Sequence, residues 1–171
     1  MVQSDSIIGN INSDRKLMEK YEEMRKRGLV EGVAITRFES SRVRMRKTSD
    51  KGTDLLLTLP VGTHLRRGDV VFLSETKMIV IEMEPESVAT IEISHNLHED
   101  ELVELAVKVG HSLGNLHRPL IAEGHRVYIP IQGDSELEML NNLFRKYAGS
   151  IEIKKKVMIF EPEEETKTHE H

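Results

Sequence analysis

Apolar residues recur along this chain with two periods, and each change of period marks an element. Asp14 to Arg27 is good helix-forming material ending at Gly28, and its apolar residues Leu17, Tyr21 and Met24 stand four and three apart, giving one narrow stripe. Before it, Ser6–Ile11 is short and apolar around Gly9, the pattern of an edge strand. After it the period falls to two. Val33 and Ile35 alternate with polar neighbours, and so do Val43 and Met45 within Arg42-Val43-Arg44-Met45-Arg46. Leu55, Leu57 and Leu59 resume the alternation beyond a Ser49-Asp50-Lys51-Gly52 turn. Val70–Leu73 and Met78–Met83 follow a turn at Arg66-Arg67-Gly68-Asp69 and close near Pro85. Short strands at regular spacing predict a small β-barrel or sandwich.

The second half mixes both periods. Val88–Ile93 is a strand with Ala89, Ile91 and Ile93 on one side. Asp100–Leu113 is a helix whose Leu102, Ala106, Val109 and Leu113 share a face. Leu120-Ile121 and Arg126–Ile131 are strands joined across Glu123-Gly124. Ser135 and Glu138 have the spacing of a capping box, opening a helix with a Leu137, Leu140, Phe144, Tyr147 stripe that ends at Gly149. Ile151–Phe160 is a last strand, its Lys154, Lys155 and Lys156 discouraging edge-to-edge pairing. The order βαββαβ predicts a ferredoxin-like arrangement, with two helices on one face of an antiparallel sheet. RNA-binding domains share that order, but these strands lack the aromatic residues that stack bases. From Glu161 the pattern gives way to charge and proline, which predicts a mobile tail. The fold class is α+β in two small domains: residues 1–85 mostly β, 86–160 ferredoxin-like, and 161–171 a tail bearing His169 and His171.

One stretch joins this pattern to chemistry. Gly114 and Asn115 are the residue types that best tolerate a left-handed backbone, so the helix is expected to stop there, and Pro119 prevents a restart. His117 then stands on a short fixed turn with its imidazole free to project. A lone turn histidine is more often a solvated polar residue than a ligand. It becomes a metal site only if donors arrive from elsewhere, because nickel, zinc and copper take four or more.

Composition narrows the chemistry. Hydrophobic content of 38% and charged content of 31% are those of a soluble globular protein. No apolar run reaches the roughly 20 residues needed to span a bilayer, and the N-terminus does not have the form of a signal peptide, so a cytoplasmic location without membrane attachment is expected. The chain has no cysteine. Thiolate sites and cysteine nucleophiles are therefore excluded, leaving imidazole and carboxylate, a donor set suited to nickel, zinc or copper(II). A net charge of −5 with few aromatics argues against nucleic acid as a partner. No His-Glu-x-x-His cluster or local serine–histidine–carboxylate motif is present, so a hydrolase is not expected.

Two segments carry a family resemblance. Gly114-Asn115-Leu116-His117-Arg118-Pro119-Leu120 resembles the Gly-Asn-Arg-His-x-x-Leu segment of the UreE urease accessory family of nickel chaperones. Upstream, Arg42-Val43-Arg44, then Leu55 to Leu59, then Leu65-Arg66-Arg67-Gly68-Asp69 is similar to the family's Arg-x-Arg, leucine-rich strand and Leu-x-x-Gly-Asp series. The resemblance implies a non-enzymatic chaperone delivering Ni²⁺ for assembly of the urease metallocentre, with Zn²⁺ or Cu²⁺ able to substitute. It implies as partners the urease apoprotein and other urease accessory proteins, the maturation GTPase among them. It also implies that the first domain engages partners, for which the Arg42, Arg44, Arg46 row is the candidate surface. The chain departs from many relatives at Ser112, where they have histidine, and at Ile129 and Ile131, where some do; the helix 14–27 looks like an insertion.

A two-fold interface is the economical way to complete a site built on one fixed histidine, since it brings the same residue of two subunits together. His117 is accordingly expected to bind one Ni²⁺ across a homodimer axis, with His169 and His171 as further ligands and a metal-bridged tetramer left open. His125, in a hairpin turn, and His111 are the secondary metal candidates. Binding should weaken as pH falls through roughly 6–7, because imidazole coordinates only when neutral. The alternative is an interaction and dimerisation module without an obligatory metal.

Overall fold

The structure is a computed structural model and describes residues 1–162. It divides into two compact units, Met1–Glu84 and a second beginning at Pro85.

The first unit contains β1 (Val2–Ser4), β2 (Gly9–Asn10), α1 (Arg15–Lys26), β3 (Val30–Ile35), β4 (Arg44–Thr48), β5 (Asp54–Thr58), β6 (Asp69–Leu73) and β7 (Met78–Met83). The strands form two open sheets of order β1-β5-β4 and β2-β6-β7-β3. β1 runs parallel to β5 and β3 parallel to β7, while the remaining pairs are antiparallel. The barrel of the sequence reading is therefore corrected. Closure needs an unbroken circuit of paired strands with consistent stagger, and here the pairing stops at β2 and β3 in one sheet and at β1 and β4 in the other. The edge strand expected over Ser6–Ile11 shrinks to the two residues of β2, and β1 forms ahead of it.

Helix α1 starts where Asp14 accepts hydrogen bonds from the backbone N–H of Lys16 at 2.9 Å and of Leu17 at 3.1 Å. It stops at Gly28, whose φ of 71° suits a residue without a side chain. Leu17 and Met24 are buried against Val70, Met78 and Val80, with Tyr21 packed alongside, so the predicted stripe is the buried one. The turn before β6 has a physical basis. Gly68 has φ 87°, and an added Cβ would stand 2.4 Å from Asn12 Nδ2. Buried Asp69 accepts from the Arg66 backbone N–H at 2.7 Å and from Asn10 Nδ2 at 2.8 Å, tying β2 to β6.

The second unit contains β8 (Glu86–Ile93), α2 (Glu99–Gly114), β9 (Ile121–Glu123), β10 (Arg126–Pro130), α3 (Asp134–Leu143), a 3₁₀ turn (Arg145–Tyr147) and β11 (Ile151–Met158). Its sheet is antiparallel throughout, in the order β11-β8-β10-β9. Ala89, Ile91, Ile93, Ile129 and Ile151 make a core with Leu105, Val109 and Leu113 of α2 and with Leu140 and Phe144. Val88 and Tyr128 fall on the opposite sheet face with Phe160, as a two-residue period requires.

Three local expectations change here. The buried stripe of α2 runs through Leu105, while Ala106 is exposed. No capping box opens α3; the helix begins at Asp134 with Gly133 as its cap and no side-chain cap bond. Glu101, in the first turn of α2, instead accepts from the His98 backbone N–H at 3.3 Å. Finally, Gly114 ends the helix and Asn115 stays right-handed at φ −65°. The left-handed residue is His117 itself, at φ 50°, alone in this among the described non-glycine residues.

Candidate metal site

The segment leaving α2 is held tightly up to His117. The backbone N–H of Asn115 donates to His111 O at 3.2 Å, that of Leu116 to Leu113 O at 3.0 Å, and that of His117 to Gly114 O at 3.0 Å. Leu113 is fully buried and Leu116 packs on the same core, so the turn is anchored from beneath. His117 is exposed, and its ring has no hydrogen bond among the described residues. Arg118 turns back towards α3. Its Nη1 and Nη2 donate to the two carboxylate oxygens of Glu136 at 2.6 and 2.7 Å, and Nη1 also reaches Pro130 O at 3.4 Å. The Arg118 fork, with the Gln132 backbone N–H at 2.9 Å, holds the Glu136 carboxyl down at about 2.

The outer face of α2 carries exposed apolar residues. Val103 and Val107 are 58% and 65% exposed, and they stand in line with exposed Gly110 and Gly114 at helical offsets of four, three and four. A glycine inside a helix costs about 1 kcal/mol relative to alanine. An added Cβ at Gly110 or Gly114 would meet nothing within 4 Å, so nothing in the described chain demands glycine there. The line leads to His117.

The other candidates are scattered. His111 is exposed, with Nε2 3.4 Å from Asn115 Nδ2. His125 is half-buried in the turn between β9 and β10, and its ring lies 4.0 Å from that of His95 at a 34° tilt. His95 Nε2 is 3.7 Å from Glu92 Oε1, while the same carboxylate takes Arg126 Nε at 3.0 Å. The sequence reading missed this pairing of His95 with His125. The two are 30 residues apart and meet because Arg126 stands opposite Glu92 in the sheet, a register that no local motif encodes. Among the described residues no three histidine or carboxylate side chains are grouped to hold a metal ion. His169 and His171 lie outside the described residues.

Of the arginine row, Arg44 and Arg46 lie on β4 and Arg42 precedes it. Arg46 is engaged by both oxygens of Asp54 at 2.8 Å, and Arg42 approaches Glu39 at 3.7 Å. Arg44 has no ion pair among the described residues. Much of the row's charge is thus balanced within the chain. No helix among the described residues is long and apolar enough to cross a membrane.

Comparison with known proteins bears on both units. The family profile described as "UreE urease accessory protein, N-terminal domain" matches residues 5–84. A urease accessory protein UreE of Natronomonas pharaonis is 32% identical over 133 residues, covering 78% of this chain and 61% of that protein. Proteins of the same name from Yersinia intermedia and Yersinia aldovae are 28% and 27% identical over 135 residues, covering 77% of this chain and 58% and 57% of theirs. The chain spans about three fifths of the length of these relatives. Their shared name is that of an accessory protein and not of an enzyme. The first unit thus matches the UreE N-terminal domain, and the chain is similar to urease accessory proteins UreE along most of its length.

Proposed function

We propose that this protein is a cytoplasmic, non-enzymatic nickel carrier for assembly of the urease metallocentre, holding one Ni²⁺ between the His117 side chains of two subunits. The observation that carries the reading is the placement of His117. Its imidazole stands exposed on a fixed turn at the end of an apolar line, Val103-Val107-Gly110-Gly114, that nothing in the described chain covers. A second α2 laid on that line about a two-fold axis would bury the valines and use the missing side chains for close helix approach. It would also set two imidazoles near the axis.

Two imidazoles do not fill a nickel coordination shell. His169 and His171 are the proposed remaining donors, and His125 and His111 the secondary ones. We read the second unit as ferredoxin-like and as the metal-binding, dimerising half, supported by its β-α-β-β-α-β sequence and its sheet order of fourth, first, third and second strand. The first unit is the proposed partner-binding half, facing urease or its other accessory proteins. Within its arginine row Arg44 is the free contributor, since Arg42 and Arg46 have carboxylates of their own.

Calorimetric titration of Ni²⁺ into the full chain and into His117→Ala tests this. The full chain should take one ion per two subunits, and the variant should lose that event. Unchanged affinity and stoichiometry in the variant would sink the proposal. A chain that pairs through α2 yet takes up no nickel would be an interaction module.

A further inference from the structure

A left-handed backbone costs a non-glycine residue roughly 1 kcal/mol or more, and it persists only where the surroundings hold it from both sides. On the N-terminal side of His117 the hold is the set of turn hydrogen bonds to Leu113 and Gly114. On the other side Pro119 has no N–H to donate, so the backbone offers little. The next anchor is the Arg118 side chain. Its guanidinium makes two parallel bonds to Glu136 at 2.6 and 2.7 Å and a longer one to Pro130 O. Glu136 is itself fixed to the backbone N–H of Gln132 at 2.9 Å.

The fork therefore ties the residue after His117 to the junction of β10 and α3, at a pair only 32% and 21% exposed. A bidentate pair fixes an orientation as well as a distance, which a lysine in the same place does not. Glu136 sits in the first turn of α3 but does not cap it; its carboxylate is turned to Arg118 and to Gln132. We propose that Arg118 and Glu136 are positioning residues that set the direction of the His117 imidazole, so that α3 takes part in metal binding without supplying a ligand. The proposal rests on the reading of His117 as the nickel ligand. In a site shared across a two-fold axis, a turn that relaxes misplaces both imidazoles together.

The test uses the full chain with Arg118→Lys and Glu136→Gln, each alone and in a His117→Ala background. Nickel affinity is measured by calorimetry, and the His117 ring ¹H–¹⁵N correlations are recorded in the metal-free protein. Each single variant should weaken nickel about tenfold, as loss of a ligand's supporting partner does, and should shift the His117 ring signals with the far-UV circular dichroism unchanged. In the His117→Ala background, where the ion is already lost, neither should lower the folding constant of the unit, read by urea unfolding, by more than about fivefold, about 1 kcal/mol. The exchanged pair, Arg118→Glu with Glu136→Arg, should recover part of the affinity. Unshifted ring signals in Glu136→Gln overturn the clamp whether or not nickel binds. A larger fall in the urea stability of the unit in the His117→Ala background overturns it too, by showing a general loosening. If His117→Ala alone leaves nickel binding intact, the ligand assignment fails, and the metal-free ring signals still decide whether the clamp exists.

Discussion

Replacing Val107 by glutamate attacks the proposed interface while leaving the chain's own core alone. Val107 is 65% exposed and Val103 58%, so more than half of each side chain is left to be covered by a partner. Full burial of a valine side chain is worth about 1.5 kcal/mol, which leaves about 1 kcal/mol per residue here. In the proposed dimer four such side chains would meet across the two-fold axis, giving about 4 kcal/mol for the pair of subunits. Val107→Glu removes half of that and places two carboxylates in an apolar seam, each losing water without a partner, which adds a few kcal/mol more. Dimerisation should therefore weaken by more than about a hundredfold. Glutamate is a good helix former, so α2 itself should persist. Sedimentation equilibrium over a concentration series reads the association constant, and far-UV circular dichroism checks the helix. Nickel stoichiometry measured on the same samples should fall in step with dimer content. An association constant that stays at the parent value, or a parent chain that is monomeric at every concentration, would refute the assignment of this face.

Three smaller experiments address the folding of each unit. Burial opposes ionisation of Glu31, but hydrogen bonds from Lys77, Ser49 and Thr53 outweigh it and hold the carboxyl at about 2, against 4.5 unperturbed. A lowered folded value contributes stability that is present above about pH 4.5 and lost as pH falls through about 2. Glu31→Gln should then cost about 2–3 kcal/mol in urea unfolding at pH 7, and parent and variant should converge near pH 2; an equal gap at both pH values contradicts the network. His117→Gly relieves the left-handed strain, so it should leave the unit as stable or up to about 1 kcal/mol more stable while abolishing nickel binding, read by thermal unfolding and calorimetry together. Asp14→Ala removes the cap of α1 and should lower the stability of the first unit by about 1 kcal/mol in urea, with nickel affinity unchanged.

Local signals in the sequence were enough for whatever depends on neighbours along the chain. Asp14 and Gly28 bound α1, and the stripe of Leu17, Tyr21 and Met24 is buried, because a cap and a helical period act within a few residues. The strand patterns at Leu55–Leu59 and Val88–Ile93 settle which side chains face inward for the same reason. Exposed His117 beyond the end of α2 was also legible, since the break follows from the Gly114-to-Pro119 stretch. Tertiary structure decided the rest. Leu105 and Ala106 fit the helical period almost equally well, and only the sheet beneath α2 selects Leu105. Whether short strands close into a barrel depends on pairings between distant segments, such as β3 beside β7, that alternation does not encode. The left-handed turn passed from Gly114 and Asn115 to His117, whose next residue, Arg118, is fixed by a carboxylate 18 residues further on. That carboxylate, Glu136, and the meeting of His95 with His125, are long-range outcomes: strand register and helix docking set which polar side chains find each other, and neither is written in a local pattern.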